Sequence, residues 1–226
     1  MNPLLRRSAA HVFVDDLGSP VLADDDVHHL SRVLRLRDGQ TVSVSDGRGS
    51  WRICEWLDRT VVPAGEVMTE EPPKVPLTVA LSPVKGDRTE DAIEKLVEIG
   101  IDAVVILAPL GNSVVRWDAE RAAAAVARFA RIGRSASAQS RRVFLPGISG
   151  PVPLAEVLAV PGAAVAEPGG SADLSGVRTV VIGPEGGFTA EEVSAAPRTV
   201  GLGPGILRAD TAAVVAATLM VAHSRR

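Results

Sequence analysis

Val180 to Phe188, VVIGPEGGF, sets an apolar run directly before Gly183-Pro184-Glu185-Gly186-Gly187. Glycine tolerates positive φ and lets another molecule approach the backbone closely. Thr189 follows, with Glu192 placed to complete a capping box at a helix start. A strand thus delivers a glycine-rich loop to a helix N-terminus, where free backbone N–H groups can grip a ligand. A tight strand-to-helix turn with no ligand fits this stretch equally well. Two further stretches repeat the pattern. Ser82-Pro83-Val84-Lys85-Gly86-Asp87-Arg88 follows the apolar run ending at Leu81, and Gly201-Leu202-Gly203-Pro204-Gly205-Ile206-Leu207-Arg208-Ala209-Asp210-Thr211 follows Val200. In a parallel sheet all these strand ends lie on one edge, where α/β proteins bind ligands. Three such loops favour a ligand over a bare turn.

Other chemistries lack their residues. No GxGxxG opens the first helix of the α/β region, and no GxxxxGK[ST], HExxH, CxxC pair or GxSxG occurs. The lone Cys54 has no evident base partner. His28 and His29 are adjacent, so on a helix they do not share a face, and no Cys or His cluster accompanies them; no metal is expected. Trp51 and Trp56 read as core. With no tyrosine in the chain, an aromatic platform for nucleic-acid bases is hard to build.

The elements that must position these loops fall into two groups. His11–Asp15 reads as a strand and Asp24–Leu36 as an amphipathic helix with Val27, Leu30, Val33 and Leu34 inward and Arg32 and Arg35 outward. Gln40–Ser45 and Trp51–Trp56 read as strands around a DGRG turn, with Ala64–Thr69 as a further strand. Residues 1–71 form a small β module, and the run EEPPKVP breaks every regular pattern, giving a linker at 72–76. From 77 to 226 strands alternate with helices: strands at Leu77–Leu81, Ala103–Leu107, Ala163–Ala166, Val177–Ile182 and Thr199–Leu202, and helices at Asp87–Glu98, Asp118–Gln139, Val152–Leu158, Ala190–Ala195 and Asp210–His223. This alternation predicts an α/β fold with a mostly parallel sheet covered by helices.

The 226 residues are 46% hydrophobic and 23% charged, ordinary for a globular chain with a sizeable core. A single cysteine fits a reducing compartment. The N-terminus carries no long apolar core before its arginines, and the longest apolar run is too short for a bilayer, so a cytoplasmic protein without a membrane partner is expected. The formal net charge of −3 argues mildly against a nucleic-acid binder. Arginine clusters at Arg6-Arg7, Arg32/Arg35/Arg37, Arg128/Arg131/Arg134 and Arg141-Arg142 nevertheless suit phosphate.

GPEGGF followed by LGPGILRADTA resembles the SPOUT-class methyltransferases that modify N3 of a uridine in 16S ribosomal RNA. HHLSRVLRLRDGQ with DGRG is similar to that family's N-terminal module, SPVKGDRTEDAIEKLVEIG to the start of its catalytic domain, and AQSRR to its Gln-Ser-x-Arg segment. The resemblance implies a PUA-like β-barrel first domain and a C-terminal domain tied in a trefoil knot. It implies a homodimer, the small ribosomal subunit as partner, and S-adenosylmethionine as cofactor. By motif position the cofactor loops are Ile182, Gly183, Pro184, Glu185, Gly186 and Gly187, and Leu202, Gly203, Ile206 and Leu207. The strand end from Leu107 to Pro109 is a third wall.

Methylating uracil N3 requires loss of its proton, so a site must stabilise a developing anion. Arg208 is the candidate, since a guanidinium near a uracil carbonyl stays charged. Asp210 either orients Arg208, accepts the proton, or caps the helix; Thr211 either caps the same helix or binds the cofactor. RNA contacts are assigned to Arg32, Arg35, Lys85, Arg88, Gln139, Arg141 and Arg142. The chain departs from the family pattern at Asp210, where glutamate is usual, at Leu110-Gly111-Asn112, which replaces a more polar, arginine-containing segment, and at Ser135 and Ala138. Three other readings remain open: a related enzyme acting on another RNA or on a ribose 2′-OH, a non-catalytic RNA-binding or ribosome-assembly module, and an α/β enzyme binding a phosphate.

Overall fold

A computed structural model describes residues 2–225. The chain separates into two compact units. One holds the chain up to Pro73 together with Ser135–Leu145; the other holds Lys74–Arg134 and the chain from Pro146 onward. The linear division at 72–76 therefore places residues 135–145 with the second domain, whereas they cluster with the first.

In the first unit, β1 (Ala10–Phe13), β2 (Thr41–Ser45), β3 (Ser50–Leu57) and β4 (Thr60–Pro63) pair in that order, and β5 (Met68–Thr69) pairs with the start of β3. β1 and β2 run parallel and the other pairs antiparallel. Strand alternation splits the apolar residues between two faces. Ala10, Val12, Val42, Val44, Cys54 and Trp56 pack on one face with Leu30. Trp51 and Ile53 point to the other, where Leu5 of α1 (Pro3–Arg7) and Val143 meet them.

The segment after Gln139 covers that second face. Val143 O accepts from Ser45 Oγ at 3.1 Å and Gly49 N at 3.0 Å, and Leu145 N donates to Gly47 O at 2.9 Å. The DGRG turn therefore needs its glycines twice. Gly47 and Gly49 have φ of +72° and +108°, and a Cβ on Gly47 would lie 2.7 Å from the Leu145 side chain.

The expected helix over Asp24–Leu36 is shorter and changes pitch. α2 (Asp24–His28) runs into a π-helical turn, His29–Val33, in which Leu34 N donates to His29 O at 2.9 Å. The wider turn rotates later residues off the predicted face. Val33 and Leu34 are exposed, and Leu36 packs on the core instead. Arg32 and Arg35 are exposed as expected.

In the second unit, six strands pair in parallel in the order β11-β9-β10-β6-β7-β8. They are β6 (Thr78–Leu81), β7 (Ala103–Leu107), β8 (Gly147–Val152), β9 (Ala163–Ser171), β10 (Thr179–Ile182) and β11 (Thr199–Val200). The helices are α3 (Arg88–Ile99), α4 (Ala119–Gln139), α5 (Leu154–Leu158), α6 (Ala190–Ser194) and α7 (Ala209–Ser224). α4 ends among the residues of the first unit. α7 packs on α3, β6 and β10, while α5 shares a core with Leu107, Val165 and Val181. β8 has no counterpart in the sequence reading. Its GISGPV carries two glycines and a proline, which an edge strand tolerates and a central one does not.

His11 gives the first unit a pH dependence. Its Nδ1 lies 2.8 Å from Ser43 Oγ and its Nε2 lies 3.0 Å from Arg142 O. A carbonyl only accepts, so Nε2 carries a proton. Burial, partly offset by the Arg142 carbonyl, lowers its pKa from 6.5 to about 4. The unfolded chain gains this proton near 6.5 and the folded chain only near 4. Stability from His11 is therefore complete above pH 6.5 and falls as pH drops towards 4, by about 3 kcal/mol. Denaturant melts between pH 7 and pH 4.5 should show this loss in the wild type and a shallower pH slope in His11→Gln.

Candidate functional site

The strand order brings the carboxyl ends of β11, β9 and β10 together. A cleft of about 290 Å³ opens there, lined by Ala166, Glu167, Pro168, Ile182, Gly183, Pro184, Glu185, Gly187, Phe188, Ile206, Leu207, Arg208, Ala209 and Ala212. An adjoining recess adds Leu202, Gly203 and Gly205. Nearly all the residues assigned to the two cofactor loops therefore meet at one place. The capping box also forms: Thr189 N donates to Glu192 Oε2 at 2.8 Å, and Glu192 N to Thr189 Oγ1 at 3.2 Å.

Four assignments fall outside the cleft. β6 stands between β10 and β7, so Leu107 and Pro109 do not line it. They border other hollows instead, and Leu107 is buried in the core. Gly186 faces the back of its loop, where a Cβ would lie 3.0 Å from Asn112 Cβ. Thr211 is exposed on α7 and does not line the cleft; the N-cap of α7 is Arg208.

The third wall is instead Ala166–Pro168. β11 pairs Thr199 with Val165 and Val200 with Ser171, so residues 166–170 bulge out between two points of pairing. Gly170 and Gly201 make the crossing possible, since a Cβ on Gly170 would lie 2.6 Å from Val200 carbonyl carbon. The sequence carried a signal: Ala163–Ala166 runs into Glu-Pro-Gly-Gly, the same break that marks the other loops.

At the cleft mouth Arg208 Nε stands 3.6 Å from Asp210 Oδ1. That Oδ1 is buried and accepts no hydrogen bond. The Arg208 side chain is 67% exposed, free to reach a substrate. Cys54 is buried, and burial pushes its thiol up to about 11, away from thiolate chemistry.

The residues assigned to RNA divide. Arg88 Nη2 pairs with Glu185 Oε1 at 3.2 Å, tying the loop after β6 to the loop after β10. Arg141, at φ +60°, donates to Ser8 O at 3.0 Å and Ala138 O at 3.3 Å, so its guanidinium is spent on the fold. Arg142 is half-buried, and its carbonyl meets His11. Arg32, Arg35, Lys85 and Gln139 are exposed.

An RNA methyltransferase domain matches residues 70–221, and an RNA methyltransferase PUA domain matches residues 22–56. The ribosomal RNA small subunit methyltransferase E of Mycobacterium bovis is 32% identical over 89% of this chain and 86% of its own length. That of Synechocystis is 30% identical over 84% and 68%. The crystal structure of the Neisseria gonorrhoeae ribosomal RNA small subunit methyltransferase E bound to S-adenosyl methionine is 26% identical, with a TM-score of 0.78 over 95% of this chain and 97% of that one. A probable rRNA-methyltransferase from Porphyromonas gingivalis is 29% identical, with a TM-score of 0.79 over 96% and 98%. With both domains matched and this identity sustained along its length, the chain belongs to the ribosomal RNA small subunit methyltransferase E family.

Proposed function

We propose that this chain methylates N3 of a uridine in 16S ribosomal RNA, using S-adenosylmethionine held at the ends of β9, β10 and β11. The observation that carries this reading is Arg208 beside Asp210, at the mouth of an apolar cleft with glycine in its walls. The cleft fits the cofactor. Ile182, Phe188, Ile206, Leu207 and Ala212 offer apolar surface to an adenine ring, and Glu167 offers negative charge near a sulfonium. Thr211, Leu107 and Pro109 are not needed for binding on this reading, and Gly186 acts only through its loop.

Bound S-adenosylmethionine supplies an electrophilic methyl group. The chain supplies the rest. Arg208 lowers the cost of the uracil anion by facing a ring carbonyl. Asp210, paired with Arg208 through Oδ1, holds it in place and is the candidate to take up the N3 proton. The apolar walls exclude water from the reacting atoms. The uridine must leave any base stack to enter.

RNA binding is assigned to Arg32 and Arg35 in the first unit and to Lys85 in the second, with Gln139 and Arg142 as further contacts. Arg88 and Arg141 contribute through the fold, given their present partners. α7 is apolar on nearly all sides, yet Leu219 is exposed. A helix apolar all round belongs in an interior, so a homodimer burying this face is part of the reading. A ribosomal substrate places the protein in the cytoplasm. Among the described residues no helix is long and apolar enough to cross a membrane.

Calorimetry should show saturable S-adenosylmethionine binding by the wild type and by Arg208→Ala, while Arg208→Ala loses about 100-fold in methyl transfer. Mass spectrometry of RNA from undermethylated small subunits should find 3-methyluridine; a 2′-O-methyl product would overturn the N3 assignment. Charge reversal at Arg32 and Arg35 should weaken RNA binding and flatten its salt dependence, with cofactor affinity unchanged. Leu219→Glu should shift sedimentation from dimer to monomer.

A further inference from the structure

Asn112 lies outside the cleft, in the loop after β7. The loop after β7 is braced from within. Leu110 N donates to Ser113 Oγ at 2.9 Å, and Arg116 Nη2 donates to Leu110 O at 3.1 Å and Gly111 O at 3.2 Å. From this rigid base Asn112 Nδ2 donates to Gly186 O at 3.2 Å and Gly187 O at 3.3 Å. Both neighbours are carbonyl oxygens, so only the amide NH₂ can face them. One side chain thereby fixes two successive peptide planes of the glycine loop. These are the least constrained residues there, since glycine has the widest backbone freedom to lose.

Two further observations agree. Gly186 is the one residue between Gly183 and Phe188 that does not line the cleft, and its missing Cβ is the space Asn112 occupies. Glu192 ties the same two loops at a second point. Its Oε2 takes Thr189 N, and its Oε1 takes Gly111 N at 2.9 Å.

We infer that Asn112 is a positioning residue for the cofactor: held by the β7 loop, it sets the shape of the Gly183–Phe188 loop from behind without touching the ligand. This rests on the cleft being the S-adenosylmethionine site. Asn112 is exposed and makes no core contact, so its loss leaves the fold intact.

The test is calorimetry with S-adenosylmethionine and steady-state kinetics on small subunits, for wild type, Asn112→Ala and Asn112→Asp. Asn112→Ala should raise the cofactor Kd and KM about tenfold, as expected for two lost hydrogen bonds, with kcat and the melting temperature of the free protein unchanged. Asn112→Asp keeps the shape but sets a carboxylate against two carbonyls, and should bind at least as weakly. Wild-type affinity in either variant overturns the inference, as does a loss of kcat at saturating cofactor with KM unchanged. A wild type that binds no S-adenosylmethionine overturns the proposed function, and this inference with it.

Discussion

Parallel pairing of β10 with β9 on one side and β6 on the other is the constraint from which the site follows. It sets three loop-bearing strand ends side by side and places β7 two positions away. Ligand loops in α/β sheets gather at such ends because the strands deliver backbone N–H and C=O groups that no further strand consumes. The cleft is thus a product of strand order before it is a product of side chains. Arg208 reaches it as the N-cap of α7, at the end of the loop that follows the short β11.

Charge is used in two ways. Some arginines are consumed by the fold: Arg141 by carbonyls, Arg88 by Glu185, Arg128 by Glu90 at 2.6 Å. Such partly exposed pairs contribute little stability, about 0–1 kcal/mol, but they fix loop positions. The Arg88–Glu185 pair joins the loop that carries Lys85 to the wall of the cleft, so the loops after β6 and β10 share a joint.

Much of this was legible in the sequence, for identifiable reasons. The glycine loops, the Thr189–Glu192 capping box and the buried tryptophans follow local rules, and local rules are what a sequence displays. What escaped depended on partners distant in the chain. The π-turn at His29–Val33 is held against a core that periodicity does not reveal, so Val33 and Leu34 were placed inward when they are exposed. Leu107 and Pro109, assigned as a wall by motif position, lie outside this cleft, because strand order is not written in motif order. The bulge at Ala166–Pro168 has a local signature, but its role depends on β11 rejoining β9 at Ser171. Asn112 drew notice only as a departure, because its two acceptors lie more than seventy residues away.

The closing of one face of the first unit by residues 141–145 has a consequence for biosynthesis. His11 waits for the Arg142 carbonyl, a separation of 131 residues. At roughly 5–20 residues per second, a nascent chain spends on the order of ten seconds with its first sheet made and that face bare. During that interval Trp51 and Leu5 have no cover from Val143. β6 and β7 emerge in the same window, apolar and still lacking β9 and β10. The first unit therefore cannot close until residues 141–145 have emerged, by which time β6 and β7 of the second unit are already made.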